Sequence, residues 1–277
     1  MGSIRFKTLP APERLKADVE CFVIAEYSGT DGLAIKTAPA AVPAIVFHHQ
    51  NGRPAIERIV TPSGGMAGAP TLFLAGPGTE PSVMNFRAGA FTTMQVILKP
   101  QALQTLLGLN ALALVHCSAE LDEFSGEDLN DQLMHAHDDQ ERTALLSGFL
   151  WDRLKQAPKR DELVEESLRL IHANIGSVQV RHLLDCLAIS ERQFERRFSQ
   201  TVGLAPQAYI RVKRFNEAVR LMKTGQYARL TDVAQALNFH DQSHFIRDIK
   251  EFSGLTPTGL LHQDDDFYHG QSGYSYR

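Results

Sequence analysis

Polar side chains that could recognise another molecule recur on one face of a short stretch near the C-terminus. Residues 241–252 are predicted to form a helix, because their large apolar side chains return every three or four positions. Amide, hydroxyl and guanidinium groups can hydrogen-bond to base edges, and one Arg can pair with both acceptors of a guanine. The predicted chemistry of this face is recognition of nucleic acid by hydrogen bonding. The polar face carries Gln242, Ser243, Ile246 and Arg247, and the apolar face carries Phe245, Ile249 and Phe252.

A second stretch, residues 180–202, repeats this arrangement. Phe194 and Phe198 are placed to face the core, and a polar face lies opposite them. The simpler alternative is a solvent-facing helix whose arginines bond to its own Glu191 and Glu195. Because this helix is predicted to be the second of two helices joined by a turn, we favour DNA binding as the role of its arginines. The outward residues are Arg192, Gln193, Arg196 and Arg197.

Each polar helix needs a preceding helix and a tight turn to position it. Residues 232–237 are predicted to form a short apolar helix, and Asp241 stands where a carboxylate can cap the next one. Gly254 can adopt the left-handed conformation that ends a helix, and Pro257 follows it. These are the parts of a helix-turn-helix, whose second helix enters a DNA major groove. A predicted helix over 206–222, roughly 25 Å long, separates the two motifs by about one DNA turn.

Residues 232–257 closely resemble the second helix-turn-helix of the arabinose-regulator (AraC/XylS) family of bacterial transcription factors. The family pattern is D-I-A-x-x-x-G-F-x-D-Q-S-x-F-x-R-x-F-K, followed by G and T-P. Asn238 and Ile249 stand where Gly and Phe are usual, and Ala188 replaces the usual Gly in the first motif. The matching residues are Asp232, Val233, Ala234, Phe239, Asp241, Gln242, Ser243, Phe245, Arg247, Lys250, Gly254, Thr256 and Pro257.

This resemblance implies roles for particular side chains and for partners. It implies double-stranded DNA as a partner, an effector that biases the DNA-binding domains, and contact with RNA polymerase where the protein is an activator. Gln193 and Arg197 would contact phosphates or partner residues. The implied base-reading residues are Arg192, Glu195 and Arg196 in the first motif, and Gln242, Ser243, Ile246 and Arg247 in the second.

Composition and charge fit this interpretation. The 277 residues are 43% hydrophobic and 22% charged, which is ordinary for a globular protein of two domains. No stretch approaches the roughly 20 apolar residues of a membrane span, and the start lacks the apolar core of a secretion signal. With three scattered cysteines, we expect a cytoplasmic protein. The net charge is −4, yet residues 181–260 hold 12 Lys and Arg against 8 Asp and Glu, a basic module on an acidic body.

The N-terminal half predicts a β-rich domain. Short β-branched and aromatic runs alternate with turns, and Asn51-Gly52 is a hairpin signal. The predicted fold class is therefore α+β with two domains. A β-sandwich or cupin-like domain with appended helices precedes an all-α domain with two helix-turn-helix motifs. The order of these elements also resembles a sensor-like domain of some members of the same family. The candidate strands are 21–27, 44–49, 56–60, 71–75, 83–87 and 91–98.

A polar segment containing a Pro marks the domain boundary. The predicted divisions are an N-terminal domain over 1–156, a linker over 157–162, a DNA-binding domain over 163–263 and a flexible tail over 264–277. The helix predicted over 138–155 carries an apolar stripe that has two interpretations. Either it forms a homodimer interface through Leu146, Phe149, Leu150 and Trp151, or it packs on its own sandwich.

Enzymatic chemistry is the rival interpretation. A cupin-like metal-dependent enzyme fused to a DNA-binding module would need several ligands, and His48, His49 and His116 are the only nearby histidines. Adjacent strand residues point to opposite faces, so His48 and His49 make a poor ligand pair. We therefore predict no catalytic residues, metal or cofactor. The N-terminal domain should sense a small molecule, mediate dimerisation, or both; a dimerisation domain with a fully packed interior is the remaining alternative.

Overall fold

A computed structural model describes residues 2–121, 128–157, 159–225, 227, 229–262 and 275–276. Two antiparallel sheets form the N-terminal part, in the strand orders β1-β2-β9-β4-β7-β10 and β11-β3-β8-β5-β6. The predicted α+β class and its two parts are confirmed. The strands are β1 Ile4–Pro10, β2 Val19–Tyr27, β3 Leu33–Thr37, β4 Ala44–His49, β5 Ile56–Thr61, β6 Gly64–Ala67, β7 Leu72–Ala75, β8 Ser82–Phe86, β9 Phe91–Leu98, β10 Ser118–Glu120 and β11 Ser275–Tyr276.

The larger sheet is covered on both faces, so its central strands are buried almost throughout. One face packs on the smaller sheet through aromatic residues, with the Phe86 and Phe91 rings stacked at 4.1 Å between centroids. The predicted turn at Asn51-Gly52 is present, since both residues have positive φ (48° and 78°) and Gln50 pairs with Arg53. The flanking strands β4 and β5 lie in different sheets, so the predicted hairpin pairing of those two strands is wrong.

The other face of the larger sheet packs on three helices: α1 Ala102–Leu107, α2 Asp128–His135 and α3 Asp139–Lys155. In α3, Leu146 and Leu150 are fully buried in this core. Phe149 and Trp151 are half-buried against the same core, and the Arg14 guanidinium lies 4.9 Å from the Trp151 ring centroid. The stripe therefore packs on its own domain, and the predicted dimer interface through Leu146 and Leu150 is wrong.

Helices form the rest of the described chain. Their core is a continuous apolar cluster centred on the long helix α7, in which Tyr209 and Phe215 are fully buried. The seven helices over residues 162–261 are α4 Glu162–Ala173, α5 Val180–Leu187, α6 Glu191–Val202, α7 Pro206–Lys223, α8 Leu230–Ala236, α9 Gln242–Ser253 and α10 Pro257–Leu261.

The two parts of the chain pack against each other. Ala38 and Ala41, in the loop between β3 and β4, are buried in the core of the helical part. Thr201 of α6 donates to the Gln104 side chain at 2.6 Å, and Asn216 of α7 donates to the Pro39 carbonyl at 3.2 Å. The helical part is thus fixed to the β-rich part through α6 and α7.

The segment predicted as a linker makes specific contacts. Arg160 forms ion pairs with the buried Asp18 and with Glu165. Burial raises the pKa of Asp18, although the Arg160 guanidinium opposes this. Asp161 caps α4, which begins at Glu162. Residues 264–274 and 277 of the predicted tail lie outside the described residues, whereas Ser275–Tyr276 pairs with β3 as β11.

Candidate nucleic-acid interface

The second helix-turn-helix is formed by α8 and α9, as predicted. Asn238 adopts the left-handed conformation (φ 52°) that the turn requires, and Gly254 does so after α9 (φ 74°). The Asp241 carboxylate accepts from the His244 N–H at 2.7 Å, which caps α9. Phe245 and Ile249 are fully buried. The local sequence therefore fixes which face of α9 is outward.

The outward face of α9 presents the predicted side chains in one cluster. Gln242, Ser243 and Arg247 are exposed. Ile246 is half-buried, because part of its side chain packs against the helical core. Its remaining surface is apolar, and that surface suits contact with a thymine methyl group.

The first helix-turn-helix is formed by α5 and α6. Ala188 takes the left-handed conformation at the turn (φ 49°), and Phe194 and Phe198 are fully buried. Ser190 occupies the N-cap position, but its hydroxyl donates to Gln193 Oε1 at 3.1 Å and accepts no backbone N–H of α6. The Ser190 side chain therefore does not cap this helix, since its hydroxyl donates to Gln193 instead.

The outward face of α6 carries four exposed residues and one that is engaged within the chain. Arg197 donates to Asp161 at 2.6 and 2.9 Å in a bidentate pair. Partial burial raises the pKa of Asp161, but the hydrogen bonds from Arg197 outweigh this effect, and the pKa lies below its usual value. Arg197 thereby anchors α6 to the start of α4, and its contact with DNA stays a prediction. The exposed residues are Arg192, Gln193, Glu195 and Arg196.

A buried ion pair that the sequence analysis missed attaches α9 to α7. Arg211 donates to Asp248 at 2.7 and 3.1 Å and to Glu251 at 2.8 and 2.5 Å. The hydrogen bonds that Arg211 donates to Asp248 and Glu251 raise the pKa of Arg211 above its usual value. Asp248 lies on the same buried helical face as Phe245. Because a buried carboxylate is costly unless it is paired, its position in the sequence indicates a cationic partner. Asp248 is thus engaged by Arg211, whereas Asp241 accepts from the His244 N–H at the start of α9.

The histidines considered as metal ligands have other roles. His48 is fully buried, and its Nδ1 accepts from the Ala55 and Ile56 N–H groups at 3.0 and 3.2 Å. Burial lowers the pKa of His48 to about 4. His116 Nε2 lies 3.3 Å from the Thr79 hydroxyl. Over the part of the chain that the structure describes, no three His, Cys, Asp or Glu side chains converge on a point.

A cavity of about 530 Å³ lies between the two sheets at one end of the β-rich part. This volume is within the range of small-molecule sites. Apolar side chains such as Phe73 and Met84 line it, and Glu80 and His116 lie at its border. The loop that contains Ala38 and Pro39 forms another part of the wall. The alternative of a fully packed interior is thus not supported.

None of the described helices is long and apolar enough to cross a membrane.

The geometry of two helix-turn-helix units with outward polar helices defines the class of DNA-binding proteins.

Comparisons with known proteins identify the type of helix-turn-helix domain. Residues 183–263 match a family described as a helix-turn-helix domain, of the AraC type. Residues 7–119 match a domain of unknown function, DUF6597. The uncharacterized HTH-type transcriptional regulator YidL of Escherichia coli (strain K12) is 29% identical over 112 residues. That alignment spans 40% of this chain and 37% of YidL, well under two thirds of that relative.

Solved structures add a likeness in fold. An apo form of ToxT from Vibrio cholerae matches with a TM-score of 0.51 and 15% identity, over 87% of this chain and 96% of ToxT. The AraC-like transcriptional activator CuxR matches with a TM-score of 0.31 and 13% identity, over 85% of this chain and 90% of CuxR. The likeness to ToxT shows a shared two-domain fold. Residues 183–263 therefore belong to the AraC type of helix-turn-helix domain, and a separate N-terminal domain precedes them.

Proposed function

We propose that the protein is a sequence-specific transcription regulator that binds two successive major-groove segments of DNA with α6 and α9. The observation that carries this proposal is that both recognition helices pack on one long helix, α7, through the Phe198–Tyr209 ring contact for α6 and the Arg211–Asp248 ion pair for α9. This helix has 18 residues, which at about 1.5 Å per residue gives roughly 27 Å. That length suits two grooves on one face of the duplex, about one turn apart.

Each recognition helix brings a different chemistry to its groove. Arg196 and Arg247 can each donate two hydrogen bonds to a guanine, and Gln242 can do the same with an adenine. Glu195 can accept from a cytosine amino group, which lets the first motif discriminate among bases. The predicted domain divisions at 156 and 163 stay part of this proposal, with Asp161 added to the DNA-binding part because it caps α4.

The proposal includes an effector, a homodimer and, for activation, contact with RNA polymerase. The cavity between the sheets supports an effector, since a preformed opening of this size is what a small molecule needs. ToxT from Vibrio cholerae has been solved with an unsaturated fatty acid bound. A cytoplasmic location follows from the proposed DNA partner. No enzymatic step is proposed.

Selection of genomic DNA fragments by the purified full-length protein tests the function. We expect retarded fragments whose binding weakens steeply as salt rises, because the basic side chains displace counterions from phosphates. Footprinting should show two protected segments per protomer on one DNA face. Arg169→Ala, on the exposed surface of α4, removes one positive charge outside the recognition helices. It serves as the control for the Arg196→Ala and Arg247→Ala variants of α6 and α9. Failure of the wild-type protein to retard any fragment at low salt would contradict the proposal.

A further inference from the structure

The cavity between the sheets has a distinct charge character. Its walls are mainly apolar, with Val46, Ile59, Phe73 and Met84 among the residues that line it. Among the described lining residues there is no Lys or Arg, and Glu80 is the only carboxylate. The remaining polar groups are neutral hydroxyl, amide and thiol groups and one imidazole. Apart from the His116 imidazole, the described lining therefore offers no side chain that could pair with a negatively charged ligand as a cation.

Glu80 is held in place at the border of this cavity. Its Oε2 accepts from the Ser63 N–H at 3.0 Å and from the Ser63 hydroxyl at 2.7 Å. The hydrogen bond from the Ser63 hydroxyl lowers the pKa of Glu80 below its usual value, so the carboxylate is ionised at neutral pH. A fixed negative charge thus stands where a ligand's polar end would meet the protein.

We propose that this cavity takes a largely apolar small molecule that is uncharged or cationic, with its polar end beside Glu80. This inference rests on the proposed function, in which that molecule is the effector. A ligand carboxylate would leave water without gaining a Lys or Arg partner and would lie close to a second carboxylate. An ammonium or hydroxyl group would instead gain a hydrogen bond to a carboxylate, which is stronger than one between neutral groups.

A matched series of three probes tests this ligand class on the full-length protein. Decylammonium, decanol and decanoate share one alkyl chain and differ in the charge of the end group. Each competes with the neutral fluorophore Nile red at about pH 7.5, where the amine and the carboxylates are charged. We expect decylammonium and decanol to displace Nile red, and decanoate to need at least about tenfold higher concentrations.

Two variants assign the preference to this cavity. Glu80→Gln should bring the decylammonium and decanoate midpoints to within about threefold of each other, because the fixed charge is gone. Glu57→Gln removes an exposed carboxylate of β5 that does not line the cavity. This variant should keep the wild-type ratio of the decylammonium and decanoate midpoints. Ala75→Leu and Ala44→Leu each add volume to the wall and should weaken Nile red binding, with folding checked by circular dichroism.

Results that contradict the ligand inference can be told apart from results that contradict the proposed DNA-binding function. Equal displacement by decanoate and decylammonium, an unchanged ratio in Glu80→Gln, or undiminished binding in both folded Leu variants would overturn the inference. Absence of Nile red binding to the wild-type protein would also overturn it. The same preparation is tested for retardation of genomic fragments, so a protein that binds DNA but no probe fails only in the ligand proposal.

Discussion

Replacing Arg211 with Ala is expected to lower the free energy of unfolding by about 2–3 kcal/mol. Asp248 is 2% exposed, and the substitution leaves its carboxylate without the bidentate guanidinium. Breaking a buried pair in this way typically costs about 3–5 kcal/mol. Arg211 is 35% exposed, and His244 Nε2 lies 3.6 Å from the same carboxylate. Water and His244 therefore recover part of the cost, which places the expectation below that range.

Urea unfolding followed by far-ultraviolet circular dichroism measures this loss. The matched control is Arg220→Ala on the same helix, whose Arg is 47% exposed and pairs with Glu217 three residues away. Such a surface pair contributes about 0–1 kcal/mol. A double-mutant cycle of Arg211→Ala and Asp248→Ala should give a coupling of at least about 1 kcal/mol.

The opposite outcome is well defined. If Arg211→Ala and Arg220→Ala lose the same free energy, both under about 1 kcal/mol, the pair does not attach α9 to α7 in the way described. If the loss is as large as expected but Asp248→Ala shows no coupling, the cost comes from the lost packing of Arg211 over the Phe252 ring, 4.9 Å away.

Three further changes have distinct expected results. Arg196→Ala and Arg247→Ala should each lose about 1–3 kcal/mol of base discrimination in one operator segment; uniform weakening across single-base operator variants would instead indicate a phosphate contact. His48→Asn should flatten the pH dependence of unfolding. The folded pKa of His48 is about 4 against an ordinary 6.5, so the wild type loses stability as pH falls through that window, by up to about 3 kcal/mol; equal slopes between neutral pH and about pH 5 would contradict this. A fragment starting at Asp161 should melt higher than one starting at residue 163, because the cap alone contributes about 1 kcal/mol; equal midpoints would show that Asp161 is dispensable.

The elements best predicted from sequence are those whose pattern is local. The strands 44–49 and 91–98 match β4 and β9 at both ends, because both segments are rich in β-branched and aromatic residues and are buried over most of their length. The turn at Asn238 and the cap at Asp241 were predictable for the same reason, since each depends on backbone groups a few residues away.

Elements that depend on distant partners could not be predicted. The strand β6, Gly64–Ala67, contains two glycines and exists because β5 pairs with it. The exposed edge strand β1 alternates charged and apolar residues and ends in Pro10, so its segment looked like a polar terminus. The stripe on α3 was visible, but only the three-dimensional structure shows which surface covers Leu146 and Leu150.

The candidate site divides in the same way. The outward positions of α6 and α9 follow from helical spacing, whereas the partner of Arg197 lies 36 residues away in sequence. No local sequence pattern predicts that Asp161 is this partner. Asp248 alone carried a usable signal, as an acidic residue on a buried helical face.

The loop between β3 and β4 has a thermodynamic consequence. Pro39 lines the cavity on one side and accepts from Asn216 of α7 on the other, so cavity and DNA-binding helices share one structural element. A molecule that shifts this loop on entering the cavity must alter the packing of α7. Coupling of this kind is reciprocal: whatever factor the molecule changes in operator affinity, the operator changes in affinity for the molecule. Titrating a cavity probe into the free protein and into its DNA complex therefore measures the regulation without any assay of transcription.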